Sequence, residues 1–243
     1  MNYTPRTIAF LCELLHPPLQ PDPGPVQKVH NQMFESGAPA YTSFQVTQTG
    51  AVLSNPASRP GEVSTVTFLP DRFQFREELG GLTWDDFATR VRGISEEVAR
   101  LRGIPAFLAQ QVTVRTLVNP RSRRDSRSFL RDDVFAMGPE LEHFDRDPAF
   151  FGLRLVFPPT SDTNNAFAMR IESYNNDARS LFVENQGTFQ QVKPDEEGMA
   201  TIESNIEKTY RFAVERGLSF IGAFDESVGE KRSFGADDDE GPA

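Results

Sequence analysis

Residues 6–18 have the sequence RTIAFLCELLHPP, and this stretch sets the fold class of the chain. Alternate positions between Ile8 and Leu15 are mostly apolar on both faces, which is typical of a strand inside a covered sheet. Pro17 and Pro18 end the strand, because proline has no N–H to donate to a neighbouring strand. The sequence therefore predicts a buried strand over residues 6–15.

A long amphipathic helix is the clearest element further along the chain. Apolar residues repeat at alternating spacings of three and four between residues 83 and 102, so they share one face of about five helical turns. They are Trp84, Phe87, Val91, Ile94, Val98 and Leu101. Thr83 is the expected N-cap, and Gly103 ends the helix. Such a stripe also suits a coiled-coil seam, but a single helix of this length more commonly packs on a sheet.

The rest of the pattern alternates strands with helices. Further helices are expected over residues 25–36 and 201–216, the second ended by Gly217. Residues 129–144 have mixed helical character, broken at Gly138. Strands are expected over residues 42–48, 63–69, 72–77, 112–118, 153–157, 167–174 and 181–190.

Two stretches of the chain resemble each other. Residues 9–18, AFLCELLHPP, and residues 150–159, FFGLRLVFPP, both end in Pro-Pro and lead to paired strands and a helix. The order strand-helix-strand-strand-helix-strand is that of a ferredoxin-like unit. We therefore predict an α+β fold of two ferredoxin-like halves packed as one unit. The second half is reduced, since it has no counterpart of the helix over residues 25–36. A chance match of two short stretches is the alternative.

The predicted boundaries follow from this order of elements. The first ferredoxin-like half covers residues 1–120, an arginine-rich junction with a helical segment covers 121–149, and the second half covers 150–224. Residues 225–243 contain seven acids and two bases. Such a composition predicts a disordered acidic tail.

With this pattern the chain resembles a sporadically distributed, uncharacterised bacterial protein family of about the same length. That family has an N-terminal strand ending in prolines, a central hairpin, and a late strand-hairpin-helix repeat. The resemblance covers most of residues 6–224. It implies a bacterial or phage cytosolic protein, encoded beside defence or toxin genes, and it supplies no catalytic residues.

Composition narrows the class of protein. The chain has 243 residues, of which 38% are hydrophobic and 25% charged, and this suits a globular protein with a core of its own. Its net charge is −10. An acidic protein is a poor general nucleic-acid coat, because clustered cations supply most of that binding energy.

The expected location is the cytoplasm. Cys12 is the single cysteine, which excludes a disulfide framework within the chain. No run approaches the about 20 apolar residues that a membrane-spanning helix needs. Glu13 interrupts the one apolar run that resembles a signal sequence, and no small-residue cleavage site follows it.

The sequence shows no assembled nucleophile, metal set or phosphate cradle. Cys12 lies mid-strand among apolar residues, where a cysteine is ordinarily a small hydrophobe. His16, His30 and His143 lie on separate segments, so a zinc site would need three distant parts of the chain.

Paired acids and phosphate-binding motifs add no stronger case for catalysis. The pairs Asp85-Asp86 and Asp132-Asp133 could serve acid–base chemistry, but adjacent acids at a helix start or in a loop are ordinarily solvated. Neither a glycine-rich phosphate loop nor a GxSxG motif occurs. We therefore expect no catalytic residues, no metal and no cofactor, and the sequence favours a protein without enzymatic activity.

The strongest local signal for binding is a cluster of arginines in the junction. Its members are Arg121, Arg123, Arg124, Arg127 and Arg131. Guanidinium groups bind phosphates and carboxylates through paired hydrogen bonds. The cluster therefore has three interpretations: a solvated linker paired with the protein's own acidic tail, a docking site for an acidic protein surface, or a nucleic-acid contact.

The sequence favours a non-catalytic adaptor or neutralising subunit of a bacterial defence or toxin-linked system. Its partner is expected to be a protein encoded nearby, not a nucleic acid or a membrane, and no oligomeric state is predicted. The alternative is a CRISPR-type RNA-binding or RNA-processing protein with duplicated ferredoxin-like domains. Such proteins tend to carry a glycine-rich loop near the C terminus, which residues 229–235, GEKRSFG, resemble.

Overall fold

A computed structural model describes residues 3–37 and 39–231. Within these residues the chain is an α+β protein, in which one nine-stranded antiparallel sheet carries helices on one face. Phe10, Val114, Asn185 and Met169 are neighbours across four adjacent strands, and all four are buried. Because side chains alternate between the two faces of a strand, this row identifies the face that the helices cover.

The sheet is continuous from one end of the chain to the other. In chain order its strands are β1 (Arg6–Leu15), β2 (Ser43–Val46), β3 (Ala51–Ser54), β4 (Val63–Phe68), β5 (Arg72–Glu78), β6 (Ala109–Val118), β7 (Gly152–Phe157), β8 (Ala166–Ser173) and β9 (Leu181–Phe189). Across the sheet they follow the order β2-β3-β4-β5-β1-β6-β9-β8-β7. Eight of these nine strands are predicted from the sequence and are confirmed. The ninth, β3, is not predicted.

The helices form the second layer. They are α1 (Gly24–Glu35), α2 (Trp84–Arg102), α3 (Ser126–Ser128), α4 (Glu196–Arg211) and α5 (Leu218–Lys231). π-Helical residues 129–134 extend α3, and π-helical residues 212–217 join α4 to α5. No helix of the described residues combines the length and apolarity needed to cross a membrane.

The helix α2 packs on the sheet as its apolar stripe predicts. The Thr83 hydroxyl accepts a hydrogen bond from the Asp86 N–H at 3.1 Å, which caps the helix, and Gly103 ends it with a left-handed φ of 65°. Phe87 is fully buried and stacks on Phe10 of β1 at a centroid distance of 5.3 Å. The face of α2 is therefore the one that the spacing of apolar residues indicates.

Two apolar clusters fill the space between sheet and helices. The first surrounds Phe10 and Phe87 and includes Ile202 and Ile206 of α4. The second joins β8 and β9 to π-helical residues 129–134 and to α5. Since α4 follows the last strands yet packs in the first cluster, that cluster contains residues from both parts of the chain.

The two strands that end in Pro-Pro occupy different positions. β1 lies at the centre, between β5 and β6, whereas β7 lies at an edge and pairs only with β8. The strands β7, β8 and β9 follow one another as a meander before α4. The similar sequences of residues 9–18 and 150–159 therefore serve different places in the sheet.

The helices of the described residues cover one side of the sheet only, which differs from the expectation for residues 6–15. Leu11 and Leu15 lie half-buried on the open face, where Leu11 is flanked by Arg76 and Thr113 on the neighbouring strands. Long polar side chains cover apolar neighbours with their aliphatic stems. The second apolar face of β1 is thus sheltered by side chains of the sheet and not by a second layer of helices.

Gly217 does not end a helix, contrary to the prediction. A Cβ at Gly217 would lie 2.9 Å from the Met169 Cε, so this glycine serves a close approach to β8. The helical segment also begins earlier than expected, because the Asp195 side chain caps α4 by accepting a hydrogen bond from the Gly198 N–H at 2.9 Å.

Residues 225–231 of the predicted disordered tail are helical. α5 extends to Lys231, and Asp225 within it is buried and accepts hydrogen bonds from three residues. An acidic composition indicates disorder only where the acids lack partners. Residues 232–243 of the predicted tail lie outside the described residues.

Substitution of Phe87 tests the assignment of the α2 face. Phe87→Asp places a charge in the first cluster without a counter-ion and should lower the free energy of unfolding by several kcal/mol. Thr89→Asp adds the same charge on the exposed face of the same helix and should change stability by less than about 0.5 kcal/mol. Urea denaturation followed by circular dichroism measures both; equal stability of the two variants would contradict the assigned face.

Candidate binding site at one end of the sheet

The arginine cluster lies at one end of the central strands. β6 ends at Val118, next to the first residue of β9, and Leu117 pairs with Arg6 at the start of β1. The loop of residues 174–180 between β8 and β9 lies at the same end. The Ser126 N–H donates to the Ala178 carbonyl in this loop at 2.8 Å, so the arginine-bearing segment folds back onto the loop.

A buried carboxylate fixes the start of this segment. Asp225 of α5 accepts hydrogen bonds from the backbone N–H groups of Arg121 and Ser122, both at 2.9 Å, and from the Tyr3 hydroxyl. Burial of the carboxyl group raises its pKa, but the hydrogen bonds from Ser122, Tyr3 and Arg121 outweigh burial, so the pKa of Asp225 lies below its ordinary value. Residues from both ends of the described chain therefore hold the arginine segment.

Acids within the junction neutralise two of the five arginines. The Arg123 guanidinium donates two hydrogen bonds to Asp133, at 2.9 and 2.6 Å. The Arg131 guanidinium donates two to Asp132, at 2.6 and 3.0 Å. Ion pairing with Arg131 lowers the pKa of Asp132. The adjacent acids Asp132 and Asp133, which the sequence suggested were solvated, thus hold the arginines of their own segment in place.

The other arginines of the cluster face solvent. Arg124 and Arg127 are exposed, and neither forms an ion pair with a described residue. The Arg121 guanidinium lies over the Tyr3 ring, 5.7 Å from its centroid. Arg124 and Arg127 therefore keep a positive charge that no carboxylate of the described residues pairs.

Two further arginines, which sequence reasoning missed, lie at the same end. Arg6 is the first residue of β1, and Arg179 lies in the loop before β9; both are exposed. Because both lie far from Arg121 in the sequence, the local charge pattern does not group them with the cluster. The signal that could have found them is strand polarity, since the start of β1 meets the end of β6 when the two strands are antiparallel. We call the five residues Arg6, Arg121, Arg124, Arg127 and Arg179 the arginine end.

Two clefts open on either side of the loop of residues 174–180. The first, of about 460 Å³, is lined by Arg127 and Arg131 together with Asp147, Tyr174 and other residues. We call it the Tyr174 cleft. Of its two arginines Arg127 is left to bind a carboxylate or phosphate, because Asp132 holds Arg131, and the side chains of Asp125 and Asp147 lie on the cleft wall.

The second cleft, the Tyr3 cleft, has a volume of about 420 Å³. Arg6, Arg121, Asn119 and Asp177 contribute to its lining. Hydrogen bonds from the Ser180 hydroxyl and the Arg179 N–H lower the pKa of Asp177. Each cleft therefore presents both positive and negative groups.

The residues considered for catalysis lie elsewhere. Cys12 is fully buried on β1, and burial raises its pKa to about 12, which keeps the thiol protonated at neutral pH. His16 is also buried, and loss of hydration lowers its pKa. Among the described residues no group of three or more His, Cys, Asp or Glu has the geometry of a metal site.

The glycine-rich stretch considered for RNA processing falls partly outside the described chain. Residues 229–231 belong to α5, and residues 232–235 lie outside the described residues.

A scan of protein-family models finds no match to this chain, and a search of curated proteins finds no similar sequence.

Removal of the Asp225 charge tests the anchor of the arginine segment. Asp225→Asn should lower the free energy of unfolding at pH 7 by about 1–3 kcal/mol, because buried N–H donors lose a charged acceptor. Asp162→Asn, on an exposed loop, is the matched control and should leave stability unchanged.

The pH dependence of the Asp225→Asn effect has a defined sign. A carboxyl whose pKa is depressed by folding stabilises the protein above its unfolded pKa, about 3.9, and this contribution is lost as the pH falls through the lower folded pKa. The difference between wild type and variant should therefore be full at pH 5–7 and shrink below pH 4. Urea titrations at several pH values measure it, and a difference that grows on acidification would contradict the anchor.

Proposed function

We propose that this protein is a non-catalytic adaptor or neutralising subunit that docks an acidic surface of a protein partner through the arginine end. The observation that carries the proposal is the concentration of exposed arginines from three separate segments around two clefts. Arginine presents a planar fork of donors that recognises carboxylates in pairs. Such a surface provides a specific binding geometry without any reacting group.

The charge of the whole molecule supports a protein partner over a nucleic acid. The chain carries a net charge of −10, so a polyanion is repelled at long range. A local patch of arginines overcomes this repulsion only within a Debye length, about 8 Å at physiological salt. A few carboxylates on a folded partner can lie entirely within this distance of the arginines. A nucleic acid extends beyond the arginines, where the negative charge of the protein repels its phosphates.

The setting we propose follows from the family resemblance. A bacterial protein of this kind would act in the cytoplasm, beside a partner encoded by a neighbouring gene of a defence or toxin-linked system. The single cysteine of the chain suits a reducing compartment. Neutralising subunits commonly act by covering a surface, which requires a stable binding face and no catalytic group.

We also propose that residues 1–120 form a ferredoxin-like half with an inserted hairpin. The order β4-β5-β1-β6, with α1 and α2 on one face, supports this assignment, and β2-β3 would be the insertion. A second, reduced half over residues 150–224 finds support in the sequence similarity and in the helix α4 after paired strands. The edge position of β7 departs from the pattern of the first half.

Charge reversal at the arginine end tests the proposed function. We expect Arg124→Glu with Arg127→Glu to abolish copurification with a co-expressed product of a flanking gene. The same pair should weaken binding of an octaglutamate peptide at least tenfold, because two donors are replaced by two like charges. Lys28→Glu with Arg100→Glu makes the same change in net charge on α1 and α2, at the opposite end of the sheet, and should leave binding unchanged.

Fluorescence anisotropy with the labelled peptide gives the dissociation constants. Equal loss of binding in both double variants would show that net charge, and not the arginine end, controls the interaction. Failure of every flanking product and of the peptide to bind the wild-type protein would overturn the proposal.

A labelled RNA of eight nucleotides separates the protein-binding function from its alternative. We expect no measurable binding at 150 mM salt, because the net charge opposes it. Binding that is tight and falls by about 0.7 log unit per tenfold salt for each neutralised phosphate would favour the RNA-processing function instead.

A further inference from the structure

The edge strand β7 has unusually exposed apolar side chains. Val156 is 65% exposed and Phe157 is 37% exposed, although both lie in a regular strand. On its inner side β7 pairs with β8 along its whole length. On its outer side no strand of the described residues follows it. This edge is an open row of backbone donors and acceptors.

The hydrogen-bond pattern defines which backbone groups point outward. The Ser173 N–H donates to the Phe151 carbonyl at 2.9 Å, so Phe151 and every second residue after it bond to β8. Because bonded and non-bonded pairs alternate in an antiparallel ladder, the N–H and C=O groups of Gly152, Arg154 and Val156 point away from the sheet. These three residues offer a binding edge for another strand.

The usual protections of a sheet edge are weak here. Natural proteins blunt an edge with lysines, prolines, bulges or a very short strand. β7 is a regular strand of six residues whose single charge is Arg154, and Pro158 follows only where the strand ends. The opposite edge strand β2 is shorter, with four residues, two of which are Ser43 and Gln45. β7 is therefore the edge suited to pairing.

The sequence of β7 is self-complementary in one register. Leu153, Leu155 and Phe157 face the helices, since Leu153 and Leu155 pack against the second cluster and Phe157 contacts Phe212. Pairing two antiparallel copies about Leu155 places Leu153 opposite Phe157 of the other copy, so apolar residues meet on the covered face. On the open face the same register places Arg154 opposite Val156.

The neighbouring registers are disfavoured. A shift about Val156 would place Pro158, which has no N–H to donate, opposite the outward backbone groups of Arg154. A shift by one residue would pair a residue that faces the helices with a residue that faces the open side of the sheet. Paired residues of one sheet point to the same face, so this register is excluded. A shift about Arg154 would place the two Arg154 side chains directly opposite each other, where like charges destabilise the pair. A shift about Leu153 would leave Val156 and Phe157, both exposed in the single chain, outside the paired strands.

We propose that β7 is a homodimer interface, at which a second copy of this chain extends the sheet through antiparallel β7–β7 pairing about Leu155. The two-fold symmetry makes the contact isologous and closed, so it yields dimers and not fibres. The antiparallel arrangement directs the two arginine ends in opposite directions.

The size of the interface sets the expected affinity. An edge of six residues buries less than the about 1,200 Å² of a standard interface. We therefore expect a reversible dimer with a dissociation constant in the micromolar range, populated more strongly as protein concentration rises. Sedimentation velocity of the full chain between about 1 and 500 μM measures this equilibrium.

Matched substitutions locate the interface. Val156→Lys faces Arg154 of the other copy and should give a monomer at every concentration. Val46→Lys alters a residue of similar exposure, 60% against 65%, on the opposite edge strand β2, and should leave the dimer intact. Circular dichroism confirms that both variants remain folded.

Cysteine cross-linking tests the register. Leu155→Cys brings two cysteines into a non-hydrogen-bonded pair with a Cα–Cα separation of about 4.5 Å, within disulfide range. Val156→Cys places them diagonally, beyond the about 7 Å limit. Leu155→Cys should therefore oxidise to a covalent dimer at least tenfold faster. The wild-type chain, whose Cys12 is fully buried, is the blank.

Three results would overturn the proposal. The first is a wild-type chain that sediments as a monomer at every concentration. The second is a dimer that survives Val156→Lys, or that is lost in Val46→Lys, since either places the interface elsewhere. The third is cross-linking of Val156→Cys as fast as that of Leu155→Cys, because it contradicts the register about Leu155.

Discussion

The pairing of β6 with β1 on one side and with β9 on the other is the constraint on which the rest of the structure depends. Residues 109–117 pair with β1, with a register shift between Thr7 and Ala9, and residues 110–118 pair with β9, so strands from distant parts of the chain become one sheet. Gln110 also donates from its side chain to the Ile202 carbonyl and accepts from Asn205, which ties α4 to the same strand. Buried polar groups of this kind fix position because each needs its partner.

Much of the fold was predictable because periodicity reports burial directly. The α2 stripe and the strands β1, β4 and β5 were found from the spacing of apolar residues and from turn residues. Contacts over long distance were not predictable. Gly217 has the sequence pattern of a helix end, but the structure requires glycine there because Met169 packs closely against it. Gly50 has the pattern of a strand end, but it lies in the turn between β2 and β3, where a φ of 154° and the nearby Phe68 carbonyl leave no room for a side chain.

The candidate site was predictable only in part. The arginine-rich segment is visible in the sequence, yet within it Asp132 pairs with Arg131 and Asp133 pairs with Arg123. Arg6 and Arg179 join the site only through the strand order. A local charge pattern thus identified the segment, and the topology of the sheet defines which charges act together.

The most direct test of this account is an NMR titration that observes the arginine Nε–Hε groups while an octaglutamate peptide is added. The account predicts that the signals of Arg6, Arg124, Arg127 and Arg179 shift together with one dissociation constant. The signals of Arg123 and Arg131, already held by Asp133 and Asp132, should shift little. Shifts spread evenly over arginines at both ends of the sheet, including Arg100, would contradict a defined docking surface at the arginine end.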